Sequence, residues 1–307
     1  MNIPQLLKLL DTNRELIIRS NAHAVEHFQM LRNDYSHIND EEVLLSMELS
    51  ASLAEKHIHS NHSKAIENSL RVVNSYAGSP HIYYLARHYW VAGHSCVQQA
   101  RHDDAEKYLL CALHYEVNAV DLKSDVLIAL AMNEEFRCGG QGSVKAAGYL
   151  KQALELLHDE EHIIRRAACL IGLGNVLING GELDESLQMY QQAVAIYEQF
   201  FDLANMAAAY CNIGTNYYQR KDYDNAEKFI NKSLELRLKT GSPDDLGISY
   251  YNLALLHKET GRLQSAYDLL VKTRDIERQT GHVHNLEKTE QQLQELAALI
   301  NTTTAAA

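Results

Sequence analysis

The sequence predicts an all-α chain, a solenoid of six stacked helix pairs closed by helical caps at both ends. Three observations carry that expectation. Small residues at Ala65, Ala105, Ala146, Ser186, Ala226 and Ala266 follow one another at intervals of 40, 41, 40, 40 and 40 residues. A second series, Leu53, Gly93, Ala131, Gly174, Gly214 and Ala254, runs 12 residues ahead of the first except at Ala131, where the gap is 15. Only Pro4, Pro80 and Pro243 interrupt the 307 residues, so long helices are permitted nearly everywhere. A fixed period of this length marks a repeat array, in which each unit buries its apolar face against its neighbours.

Residues 1–40 read as an N-terminal helical cap outside the period: a short segment through Leu10, then a longer one from about Asn13 to Asn33, with Asp11 and Ser36 as helix starts. The six pairs occupy 41–280. Within each pair a polar or glycine-containing turn breaks one amphipathic helix and starts the next: HisSerAsnHis at 59–62, ArgHisAspAsp at 101–104, AsnGlyGlyGluLeuAsp at 179–184, ArgLysAspTyrAsp at 220–224 and ThrGlyArg at 260–262. In the third pair CysGlyGlyGlnGlySer at 138–143 lengthens the turn. The clearest copy spans 204–241. Its first helix carries Tyr210, Ile213, Gly214 and Tyr217 on one face, its second Ala226, Phe229, Ile230, Ser233 and Leu234. Residues 281–300 form a capping helix with Leu286, Leu293, Leu296 and Ile300 on a common stripe, and 301–307 a disordered tail.

Composition narrows the function. A formal net charge of −12 argues against nucleic acid, whose phosphates demand clustered Lys and Arg, and disfavours an anionic membrane surface. The first 30 residues hold no apolar run long enough for a signal peptide or a membrane span, and no membrane insertion is expected. The five cysteines are odd in number and dispersed, which indicates neither a disulfide framework nor paired metal ligation and fits a reducing cytoplasm.

The helix pair with small residues at these offsets resembles the tetratricopeptide repeat. The fifth pair supplies Tyr210, Ile213, Gly214, Tyr217, Ala226, Ile230 and Ser233. The fourth supplies Leu170, Leu173, Gly174, Leu177, Ser186, Tyr190 and Ala193, and the second Tyr89, Ala92, Gly93, Cys96, Ala105, Leu109 and Ala112. Pairs one, three and six are weaker, with Leu53, Ala131 and Ala254 at the glycine position. The 40-residue period is similar to that of the kinesin light chain type and of bacterial sensor arrays. The resemblance implies a right-handed superhelix whose first helices line a concave groove.

On that resemblance the groove positions are Trp90 and His94 in the second pair, Ile128, Met132 and Glu135 in the third, and Gly172 and Asn175 in the fourth. Cys211, Asn212, Thr215 and Tyr218 follow in the fifth pair, Tyr251, Asn252 and Leu255 in the sixth. The asparagines matter most, because a carboxamide offers a donor and an acceptor and pairs with peptide backbone whatever the side chains. Arg87 and Lys258 are the basic groove candidates, so aromatic or aliphatic anchors suit Trp90, Tyr218 and Tyr251 better.

Other constellations carry less. His57, His59 and His62 span a helix end and a turn with no Cys or carboxylate at matching offsets, so a solvated turn is expected and no metal. The glycine-rich 138–143 lacks the Lys and Ser/Thr of a phosphate loop. No catalytic group and no cofactor are expected. The expected function is a non-catalytic scaffold that binds a partner peptide or helix in the groove. The alternative is a ligand- or peptide-sensing module of a bacterial signalling protein, preceding for example a cyclic-dinucleotide cyclase domain, with the chain a fragment of it. Under that alternative the last helix serves as a signalling coil; a homodimer through the C-terminal helix is expected under either reading.

Overall fold

The computed structural model describes residues 2–18, 22–35, 37–115, 118–240, 243–280 and 283–305, and all statements of structure concern these. Every regular element among them is helical, and the chain divides into two compact units, residues 1–158 and 159–307.

The first unit opens with α1 (Ile3–Ile18) and α2 (Ala22–Asp34), followed by the pairs α3 (Glu41–His57) with α4 (His62–Ser75), α5 (Ile82–Gln98) with α6 (His102–His114), and α7 (Val120–Arg137) with α8 (Val144–Leu156). The sequence places a break at Asp11, but α1 runs through it. Leu6, Leu10 and Ile17 make one uninterrupted buried stripe, and Arg14, one turn on, pairs with Asp11 within the helix. α1 packs on α3 and joins its leucines to the core built around Val43, Leu49, Leu85 and Leu109. Ser36, the other expected start, lies outside the described residues; Asp40 caps α3 instead, accepting the Val43 N–H at 3.1 Å.

The second unit has a single 3-10 turn at Glu160–His162, then the pairs α9 (Ile163–Asn179) with α10 (Leu183–Gln199), α11 (Leu203–Gln219) with α12 (Tyr223–Thr240), and α13 (Pro243–Glu259) with α14 (Leu263–Thr280), ending on α15 (Val283–Ala305). Gly241 and the 281–282 junction lie outside the described residues. So do 306 and 307 of the expected tail, while α15 continues to Ala305. The apolar stripe of α15 is used within the chain: Leu293 and Leu296 are buried with Leu269 and Leu270 of α14.

The period is written in backbone as well as side chains. Ser60, Ala100, Gly139, Gly181, Lys221 and Gly261 stand in the six turns between paired helices and all take positive φ, between 50° and 85°; the lengthened third turn adds Gly140 and Gly142. Close approach follows at the small positions. A Cβ added to Gly93, Gly174 or Gly214 would meet Leu109 Cγ at 2.7 Å, Tyr190 Cε1 at 2.5 Å or Ile230 Cγ1 at 2.6 Å. Each contact is 16 residues on, across the pair, so the two helices touch at that spot only because no side chain intervenes. Tyr217 stacks on Phe229 at 5.5 Å and 8°, filling the space beside Gly214.

Candidate functional site

Within each unit successive first helices touch: α3, α5 and α7 in the first, α9, α11 and α13 in the second. The second helices touch first helices and make no comparable contact with one another. First helices therefore lie on the tighter side of each stack, and their outward residues sit close together.

In the second unit this brings three predicted residues into a row. The Asn212 amide donates to Asn175 Oδ1 at 3.2 Å, joining α11 to α9. The Asn252 amide donates to Cys211 Sγ at 3.1 Å, joining α13 to α11. Cys211 is itself 3% exposed, so it does not look into a groove; it is a buried acceptor beneath Asn252. Thr215 donates its hydroxyl to Cys211 O at 3.1 Å on its own helix. Tyr218 lies at 6.0 Å from Tyr223, and the Tyr251 hydroxyl accepts from Gln292 Nε2 of α15 at 3.0 Å.

One residue that sequence reasoning assigned only to packing proves to set the row. Tyr190, on α10, reaches past Gly174 and donates its hydroxyl to Asn175 Oδ1 at 2.8 Å. Burial pushes the Tyr190 phenol up to about 12, so it remains a donor at any ordinary pH. With Oδ1 accepting from both Tyr190 and Asn212, the Asn175 amide orientation is fixed and its NH₂ points away from both donors.

Trp90 and His94, the other two predicted residues, stand in the first unit and are not open groove positions. Trp90 is 7% exposed, because Lys56 from α3 lies over its ring with Nζ 4.3 Å from the centroid. His94 packs on the same ring at 5.8 Å. Arg87, one of the two basic candidates, is consumed by α7: it pairs with Asp121 and, at 2.7 Å, with Asp125. Burial works against its charge, but the two carboxylates win and its pKa is raised. Glu135 is likewise not a groove residue; its carboxylate accepts the N–H groups of Gly142 at 3.1 Å and Ser143 at 3.0 Å, holding the glycine-rich turn.

The histidine turn differs from expectation. His59 is exposed, but His57 and His62 are half-buried beside Lys56. Burial, with the Lys56 charge second, lowers His62 and brings His57 down to about 4. Lys56 was missed because charged residues default to solvent; its place three residues after the small position Leu53 was the signal. No helix among the described residues is long and apolar enough to cross a membrane.

Residues 166–201 and 205–279 match the tetratricopeptide repeat family. Among solved structures the chain is similar to NprR in complex with its cognate peptide NprX, at 19% identity and a TM-score of 0.66, covering 100% of this chain and 87% of that one. It is similar to a Rap protein complexed with Competence and Sporulation Factor, at 16% identity and a TM-score of 0.64, covering 97% of this chain and 99% of that one. BtubC (BKLC) from P. vanneervenii has 20% identity and a TM-score of 0.58, over 77% of this chain and 92% of that one. No curated protein sequence matches.

Proposed function

We propose that this chain, a tetratricopeptide-repeat protein, is a non-catalytic interaction module that holds an extended peptide along α9, α11 and α13. Asn175, Asn212 and Asn252 take the peptide backbone, and Thr215, Tyr218 and Tyr251 line its path. The observation that supports this best is the oriented row of carboxamides on successive first helices. The Asn212 and Asn252 carbonyl oxygens have no partner among the described residues, and the Asn175 NH₂ is turned outward. Helices packed at about 8–10 Å present one such group per roughly three residues of extended chain, which rises about 3.3 Å per residue. Donor and acceptor recur at the interval an extended backbone offers them.

A sensory use of the same row is supported by the company of the fold: NprR was solved with its cognate peptide and a Rap protein with Competence and Sporulation Factor. The test is selection of linear peptides on the intact chain, followed by Asn212→Ala with Asn252→Ala. Binding weakened at least tenfold at unchanged helix content and Tm supports the assignment; undiminished binding removes it.

A further inference from the structure

The first unit holds a polar cluster that peptide-backbone recognition does not use. Lys56, 5% exposed, has no carboxylate within ion-pair distance among the described residues. Its Nζ sits over Trp90 and 3.0 Å from His57 Nε2. Around it three buried polar atoms lack any hydrogen-bond partner: Trp90 Nε1, His94 Nδ1 and His62 Nδ1. An unmet buried N–H costs about 1–3 kcal/mol, and the indole Nε1–H can only donate; with two imidazole nitrogens also unmet and an ammonium that Asp125 offsets only in part, the cluster marks a position built for an acceptor.

We infer that Lys56, Trp90 and His94 form a binding site for a single carboxylate group, entered past the half-exposed rings of His57, His62 and His94.

The charge count selects the ligand. The groups facing Lys56 are His57 on its own helix, His62 on α4, Arg87 and His94 on α5, and Asp125 on α7. Arg87 is taken up by Asp121 and Asp125, so a dianion such as sulfate or phosphate would meet one cation and neutral imidazoles. The histidines stay neutral because burial and the Lys56 charge hold their pKa values down. A carboxylate meets one ammonium and, at its second oxygen, the indole N–H, a donor that cannot reverse its role. Burial, only partly offset by Asp125, leaves the Lys56 amine at about 7 when nothing is bound. A bound anion favours the ammonium, so binding takes up a proton above that pH. The groove proposal leaves Trp90 and His94 out, and the readout here needs no peptide, so the inference stands or falls separately.

Trp90 is the one tryptophan of the chain, so its fluorescence reports the site directly. The intact protein is titrated with sodium acetate at constant ionic strength, sodium chloride making up the balance. A saturable change at pH 6 is expected, with affinity falling up to tenfold per unit as pH rises above about 7, since each unit removes tenfold of the ammonium form. Lys56→Met, which keeps the stem over the indole, abolishes the response at unchanged helix content. Calorimetry in two buffers of different ionisation enthalpy is expected to show proton uptake approaching one per acetate at pH 8. The inference is overturned by a response no larger than chloride's, by one that survives in Lys56→Met, or by binding without proton uptake at pH 8. Sulfate binding in preference to acetate overturns the carboxylate assignment.

Discussion

The Tyr190 hydroxyl donates to Asn175 Oδ1 at 2.8 Å, and this bond ties the packing of a helix pair to the orientation of its outward amide. The same ring lies where Gly174 lacks a side chain. Tyr190→Phe leaves the ring and deletes the donor. Stability is expected to fall by about 1 kcal/mol, the net value of one hydrogen bond. Asn175 is then free to turn its amide over, and affinity for a selected peptide falls several-fold more than the loss of stability explains. Calorimetric Tm and peptide affinity on the same variant check the two effects.

Closeness at the glycine positions gives a second expectation. Gly214→Ala drives a methyl onto Ile230 Cγ1 at 2.6 Å, with Ala226 O at 3.2 Å on the backbone side, and is expected to cost about 1–3 kcal/mol by overpacking. Gly148→Ala, in α8 with nothing within 4 Å, is expected to stabilise by about 0.5–1 kcal/mol through helix propensity. Denaturant midpoints of the two variants moving in the same direction would contradict this.

The turns supply a third. Ala100 at φ 55° and Lys221 at φ 62° occupy the position that Gly139, Gly181 and Gly261 fill elsewhere. Left-handed backbone costs an L-residue about 1–2 kcal/mol, offset in part by the greater freedom of glycine in the unfolded chain. Ala100→Gly and Lys221→Gly are each expected to raise Tm, by roughly 0.5–1 kcal/mol of stability.

Acid stability follows from the buried imidazoles. Burial brings His88 down to about 3 and His57 to about 4, and holds His94 well below its ordinary value. A folded pKa below the unfolded value near 6.5 means that the unfolded chain binds more protons, so stability falls as pH drops from 6.5 toward 4. Each fully buried histidine contributes a slope of up to about 1.4 kcal/mol per pH unit; His57, half-exposed, gives less. His88→Gln is expected to flatten urea midpoints measured between pH 7 and 4.5, and an unchanged slope would contradict it.

Much of this architecture is legible in the residues. The series of small positions gives six pairs because Gly93, Gly174 and Gly214 each face a large residue 16 positions on, and an array cannot vary that spacing without losing the contact. Periodicity reports which face a residue occupies but not what covers it. Hence Trp90 reads as an open groove position while Lys56, contributed by the preceding pair, lies across it. The same blindness hides Tyr190, whose ring packs and whose hydroxyl works at the far side. Asp11 looks like a helix start because aspartate favours caps, yet the stripe of Leu6, Leu10 and Ile17 outweighs one polar residue on the outer face.

The most direct test observes the side-chain amides themselves. On titrating the isotope-labelled chain with a selected peptide, the NH₂ resonances of Asn175, Asn212 and Asn252 are expected to shift together along one saturation curve and to exchange more slowly with water. Saturation with those three pairs unmoved, and shifts confined to other residues, would contradict the asparagine row as the peptide site.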